Sequence, residues 1–294
     1  MDGFFNLLKP PGMTSSDVVL AVRKMLPRGA RGGHGGTLDP DAAGVLPICI
    51  GRGARLFDYM IDKQKAYLAE LRLGIATDTQ DSTGRVTSVH PVDIGEAEVR
   101  AALQAFIGEI MQIPPAYSAI KRDGKPMYKL ARVGDAPELK PRPARVDDIE
   151  YLGQTAPNVH RLLVRCGKGV YIRTLCHDIG AAQGCGGHMA FLLRTQAGVF
   201  DIAASVTVDE LRTAFEHGDE RKYLYPLDAP IEHLPAVHLD AADRPAVLNG
   251  LSCPISPDLP LLTPLRVYCG AEFAGIGERR EDGNVHMKAM LLER

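Results

Sequence analysis

One acid, Asp39, stands between a glycine-dense loop and a proline in the run Arg31-Gly32-Gly33-His34-Gly35-Gly36-Thr37-Leu38-Asp39-Pro40-Asp41-Ala42-Ala43-Gly44-Val45-Leu46-Pro47. A carboxylate held this way can serve as a nucleophile or as a base. His34 lies five positions upstream, on a glycine-flanked loop that could admit a bulky substrate. An isolated Asp-Pro is most often an Asx-turn. Here the flanking residues point instead to a site.

Common chemistries can be set aside from spacing. Gly124-Lys125 is followed by Pro and Gly167-Lys168 by Gly, so neither completes a phosphate loop. The glycines at 29–36 lack the third position of a dinucleotide fingerprint. Cys176, His177, Cys185 and His188 fall within 13 residues, but their spacing fits no usual zinc pattern. We expect no metal and no cofactor.

Residues 33–47 resemble the Gly-His-x-Gly-x-Leu-Asp-Pro-x-Ala-x-Gly-Val-Leu-Pro signature of the TruB family, bacterial pseudouridine synthases acting on the T-loop uridine at tRNA position 55. Further matches follow in order: Lys9-Pro10-x-Gly12-x-Thr14-Ser15, Lys65-Ala66-Tyr67, Asp78-Thr79-x-Asp81-x-x-Gly84, Pro114–Lys121 with Gly124 and Tyr128, Gly169–Leu175, and Leu192–Phe200. The resemblance runs almost continuously over residues 3–228.

The resemblance implies roles. Asp39 falls on the essential aspartate and Arg173 on its ion-pair partner. Tyr67 would stack on the uracil and remove the C5 proton late in the reaction. Tyr171 and Leu192 would line the uridine pocket. His34 would fill the stack left by an extruded base. Lys9 and Pro10 would be structural support. Lys121, Arg122, Lys125, Lys129 and Arg132 would belong to an RNA-gripping insertion over 115–145. Two positions depart from the family pattern: Gly35 replaces Thr or Ser, loosening the loop, and Leu193 replaces the first arginine of Leu-Arg-Arg, leaving Arg194 alone.

The reaction itself asks for little. The N1–C1′ bond breaks, the uracil turns, and C5 bonds to C1′, with no redox change and no added atom. A carboxylate could attack C1′ or take the C2′ proton. Either role needs it ionised, hence a cation beside it. A guanidinium can also aim it through two hydrogen bonds. Reaching a uridine inside a folded loop requires unstacking it.

The elements that must position these residues read as follows. Thr14, Ser15 and Ser16 offer an N-cap to a helix from Asp17 to Leu26, stopped by Pro27. Residues 66–73 alternate as a strand with Tyr67 on the apolar face, and 159–166 read as another. Residues 96–110 show helical spacing. So do Ile172, Leu175, Cys176 and Ile179, with Gly184 ending that helix. Ala136–Pro143 reads as an extended arm. No regular βαβ period appears. The fold class expected is α/β (α+β): a mixed, largely antiparallel sheet with packed helices, as in pseudouridine synthases, plus a small C-terminal β-rich domain.

We expect a catalytic domain over 1–228, a Pro-rich linker over 229–235 and a small β unit over 236–294. Residues 265–278 of that unit resemble the last strands of a PUA RNA-binding domain. The net charge of −2 argues by itself against nucleic acid, but local charge differs. Residues 115–145 carry eight cations and three acids, and 161–173 carry four cations and no acid. Such stripes can hold a phosphate backbone. No run is long enough to span a membrane, and the N-terminus lacks a signal pattern, so a cytoplasmic protein is expected. Six scattered cysteines should be free and mostly buried. The partner expected is tRNA, through its T-loop and T-stem, bound by a monomer with no obligate protein partner. The alternatives are a non-catalytic RNA-binding protein or tRNA chaperone of the same fold, which could dispense with Asp39, and the archaeal–eukaryal relative working in a guide-RNA particle.

Overall fold

The computed structural model describes residues 1–61, 64–115, 121–122, 125–126 and 139–293. The chain starts with strand β1 (Gly3–Lys9), whose Phe4, Phe5 and Leu7 are fully buried. Helix α1 (Ser15–Met25) is nucleated by a capping box: Asp17 N–H donates to the Thr14 hydroxyl at 3.1 Å, and Thr14 N–H donates to the Asp17 carboxylate at 2.8 Å. Then come β2 (Gly32–His34), β3 (Ala43–Ile50), the short α2 (Phe57–Ile61), β4 (Lys65–Leu73) and a hairpin of β5 (Ile75–Thr77) and β6 (Val86–Val89).

The helix expected over 96–110 stops early. Helix α3 (Glu96–Leu103) passes into a 3-10 turn at Gln104–Phe106, and strand β7 (Gly108–Gln112) follows. Gly108, at φ +101°, breaks the helical path. The apolar residues beyond it satisfy either period, and pairing with a neighbouring strand decides between them. A two-residue hairpin, β8 (Lys121–Arg122) with β9 (Lys125–Pro126), carries three of the expected RNA contacts on its backbone. Lys129 and Arg132 lie outside the described residues, as do residues 136–138 of the extended arm.

Strand β10 (Arg142–Ala156) pairs with β7 and with β11 (Val159–Cys166). Helix α4 (Ile172–Ala182) follows and ends before Gly184, which sits at φ +74°. Next come β12 (Gly187–Ala197), β13 (Phe200–Asp201), helix α5 (Val208–His217) and β14 (Leu224–Tyr225). Ten strands form one sheet in the order β14-β1-β3-β12-β4-β11-β10-β7, with β2 on β3 and β13 on β12. All its pairings among the described residues are antiparallel except β3 with β12. At that parallel junction a Cβ on Gly44, which is at φ +119°, would lie 2.2 Å from the Arg194 carbonyl, so only glycine fits.

Strand alternation sorts the packing. On one face, Phe5, Leu7, Leu46 and Ile48 pack under α1 and α5, and Tyr67, Ala69, Leu71, Val164 and Leu192 pack under α3 and α4. On the other, Phe4, Val45 and Cys49 pack against Ile276 of a second sheet and Leu291 just beyond its last strand. That sheet, in the order β15-β17-β18-β19-β16, comprises β15 (Ala236–Leu239), β16 (Cys253–Pro254), β17 (Pro264–Cys269), β18 (Glu272–Arg279) and β19 (Asn284–Met290). A short helix, α6 (Arg244–Leu248), accompanies it. The Pro-rich passage before it is no free tether. It holds a 3-10 turn whose Ala229, Pro230 and Ile231 are buried, with Ile231 wedged between the two sheets' side chains. All six cysteines are free and buried. No helix among the described residues is long and apolar enough to cross a membrane.

Candidate active site

The Asp39 loop joins β2 to β3 and lies over the face that holds Tyr67. Leu38 anchors it, 4% exposed in the cluster containing Tyr67, Ala42, Ile172 and Leu192. Beyond the acid, the Pro40 carbonyl accepts from Lys9 Nζ at 2.8 Å and from Gly12 N–H at 2.9 Å. Lys9 is fully buried, and burial pulls its ammonium down to about 8 while Asp41 and Asp39 hold it up. The Gly35 N–H donates to the Pro47 carbonyl at 2.7 Å, extending the β2–β3 ladder.

Arg173 meets Asp39 with a fork. Nε lies 2.9 Å from Oδ2 and Nη2 donates to Oδ1 at 3.1 Å. The guanidinium side chain is 6% exposed and the carboxylate 37%, so the acid faces the opening and the cation lies behind it. The start of α4 sets Arg173. Tyr171 N–H donates to Gln112 Oε1 at 3.0 Å, and Gln112 Nε2 returns a bond to the Tyr171 carbonyl at 3.3 Å. One turn on, Thr174 donates to Gln80 Oε1 at 2.8 Å.

A second carboxylate, Asp81, completes the group. Its Oδ2 lies 3.5 Å from Arg173 Nη1, which also donates to the Thr79 carbonyl at 3.4 Å. Its Oδ1 accepts from the Thr79 hydroxyl at 2.7 Å and from the Thr83 hydroxyl at 2.6 Å and N–H at 3.0 Å. Burial raises the Asp39 carboxyl above the ordinary carboxylate range. Arg173 pulls it back, Asp81 pushes it up, and Lys9 lowers it. A fork of N–H donors binds only the ionised form well.

Tyr67 and Leu192 lie on the same sheet face, since Leu192 pairs with Ala69 and Arg194 with Tyr67. Tyr67 is 8% exposed. Burial raises its phenol and a hydrogen bond from Arg194 opposes that, so it stands neutral. Arg194 is far from an idle survivor of a motif. It is 1% exposed, and it donates to the carbonyls of Val45 at 2.7 Å, Gly36 at 3.0 Å and Thr37 at 3.4 Å, under the floor of the Asp39 loop. Leu193 points to the opposite face, away from the site. His34 ends the edge strand β2 opposite Ile48. It is half-buried, and burial followed by Arg194 lowers its pKa.

Asp39 and Arg173 thus touch, Tyr67 and Leu192 pack in one apolar cluster with their chain neighbours Leu38 and Ile172, Tyr171 stands at the N-cap of the helix that carries Arg173, and His34 flanks the loop. The side chains of Lys121, Arg122 and Lys125 lie outside the described residues. Sequence reasoning gave Asp81 and Arg194 no part in the site. The Asp-Thr-x-Asp motif pointed to the first, and a cation at an inward strand position to the second. Cys185 and His188 turn to main-chain carbonyls, of Gly186 and of Ile75.

Residues 23–172 match the model of the TruB family pseudouridylate synthase N-terminal domain, and 173–234 match that of the tRNA pseudouridylate synthase B C-terminal domain. The tRNA pseudouridine synthase B of Alkaliphilus oremlandii is 44% identical over 290 residues, 97% of this chain and 95% of that protein. That of Pseudomonas fluorescens is 41% identical, over 99% of this chain and 96% of that protein. Among solved structures, a chain of an H/ACA RNP bound to a substrate RNA containing 2'-deoxyuridine superposes with a TM-score of 0.76 at 26% identity, covering 99% of this chain and 86% of that one. An archaeal box H/ACA sRNP complex gives 0.75 at 27%, covering 99% and 86%. With Asp39 forked by Arg173 on the sheet these matches span, the chain belongs to the TruB family of pseudouridylate synthases.

Proposed function

We propose that this chain is a tRNA pseudouridine synthase that isomerises the T-loop uridine at position 55, with Asp39 as the acting carboxylate. One observation carries the reading: a half-exposed acid aimed at the opening by a buried guanidinium. Arg173 keeps Asp39 ionised against the burial that opposes it, and it orients both oxygens. Asp39 attacks C1′ as the N1–C1′ bond breaks, or it removes the C2′ proton as that bond breaks to leave a glycal; the uracil turns, and C5 bonds to C1′ as the Asp39 oxygen leaves C1′ or as Asp39 returns the C2′ proton. The C5 proton then passes to water and N1 takes up a proton, so the product is an isomer of the uridine.

Tyr67 supports the uracil. Its raised pKa favours the ring's role as a platform over that of an ionised base. Leu192 and Tyr171 flank the base, and His34, neutral at physiological pH, fills the vacated stack. The 115–145 segment, with Lys121, Arg122, Lys125, Lys129 and Arg132, holds the T-stem by its phosphates. We assign residues 1–228 to catalysis and 236–294 to a PUA-like unit, with 229–235 between them. We propose that the chain acts as a monomer on tRNA in the cytoplasm.

The test is C5-tritium release from an unmodified tRNA transcript. Wild type releases tritium and Asp39→Ala does not. Release surviving Asp39→Ala defeats the carboxylate's role. Tight tRNA binding without release by the wild type favours a binding protein.

A further inference from the structure

Asp39 is gripped through its backbone as well as its side chain, and the grip on its N-terminal side comes from one hydroxyl. Ser15 is the first residue of α1 and is 3% exposed. Its Oγ accepts from Leu38 N–H at 2.9 Å and donates to the Leu38 carbonyl at 3.1 Å. That carbonyl belongs to the peptide joining Leu38 to Asp39. A single atom therefore sets the peptide planes on both sides of the Leu38 Cα, and with them the direction in which the Asp39 side chain leaves the chain. On the C-terminal side Lys9 and Gly12 hold the Pro40 carbonyl, and Ala42 N–H donates to the Asp39 carbonyl at 3.2 Å.

Ser15 is free for this task. The end of α1 is already capped by Thr14 and Asp17, so Ser15 is not needed there. A hydroxyl is donor and acceptor at one atom, so a short serine can bond both backbone groups of a single residue, as the longer Gln112 amide does for Tyr171 through two atoms. We propose that Ser15 is a positioning residue for the reaction: it holds the Leu38–Asp39 peptide so that the carboxylate stays in the Arg173 fork and faces the sugar. This rests on Asp39 being the reacting acid.

A misplacement of about 1 Å can cost roughly a hundredfold in rate. The experiment compares Ser15→Ala, Ser15→Cys and Ser15→Thr in full-length protein, measuring tritium release from a tRNA transcript, KM and the melting temperature. Cysteine keeps the volume but bonds weakly, whereas threonine keeps the oxygen. We expect Ala and Cys to lose roughly ten- to a hundredfold in kcat, with KM and melting temperature near wild type, and Thr to recover most of the loss. Wild-type kcat in a folded Ala or Cys variant overturns the proposal. So does a loss confined to KM, a loss that tracks the folded fraction, or a Thr variant no better than Ala. Should Ala fail to fold, Cys decides. Asp39→Ala, run alongside, separates the two readings. Activity in it sinks the role of Asp39 itself. A silent Asp39→Ala beside unaffected Ser15 variants sinks only the clamp.

Discussion

The Asp39 cleft and the C-terminal sheet handle charge in opposite ways. In the cleft, Lys9, Arg173 and Arg194 are all buried, and each donates to at least one oxygen of the Asp39 or Asp81 loops. In residues 236–294, six cations face eight acids, and Arg244 with Glu272, Arg280 with Glu278 and His286 with Asp282 pair at the surface. Surface pairs contribute little, whereas buried ones are costly unless satisfied. The first region keeps its ions because their geometry is used. The second pairs its charges where water already screens them.

The contrast can be broken by substitution. Asp39→Asn should cut tritium release by roughly 10³-fold or more, with tRNA affinity retained in a filter-binding assay. Arg173→Met should cost roughly 10²- to 10³-fold, because Asp39 and Asp81 are then left facing one cleft without their shared cation. Arg194→Met should lower stability by about 2 kcal/mol or more, since the buried Val45 carbonyl and the partly buried Gly36 and Thr37 carbonyls lose their donor; urea unfolding reads it. Arg244→Ala should leave both tritium release and melting temperature at wild type. An effect there comparable with that at Arg194 would erase the distinction between the regions.

pH sharpens the same contrast. Asp39 acts ionised and its pKa is raised by burial, so single-turnover rate should fall with acidification at a pH above the ordinary carboxylate range. Arg173 is the largest influence lowering that pKa, so Arg173→Lys, which loses the fork, should move the acid limb further up. A limb at the ordinary carboxylate position in wild type would mean that burial does not govern this acid.

Much of this was legible in the chain. The pair Asp39 and Arg173 lies 134 residues apart, yet each sits in a motif whose order is informative. Strand β4 and helix α1 followed from alternation and from a capping sequence. Asp81, Arg194 and Ser15 were not legible as parts of the site, because what distinguishes each is burial against a loop distant in sequence. Asp81 bonds locally and reaches Arg173 only once α4 packs beside the 78–84 loop. Arg194 looked like the remnant of a doublet until strand pairing placed it under Gly36 and Thr37. The 96–110 segment misled because Ile107 and Ile110 suit either period, and only β10 resolves them.

Asp81 changes what Asp39 is free to do. Its one oxygen is tied by three local donors and its loop is fastened to α4 through Gln80, so its hold on Arg173 does not depend on the other acid. If Asp39 swings toward a sugar carbon, the cation has a mooring that stays behind. The Arg173 guanidinium thus keeps its place through the 78–84 loop, whatever happens at the sugar.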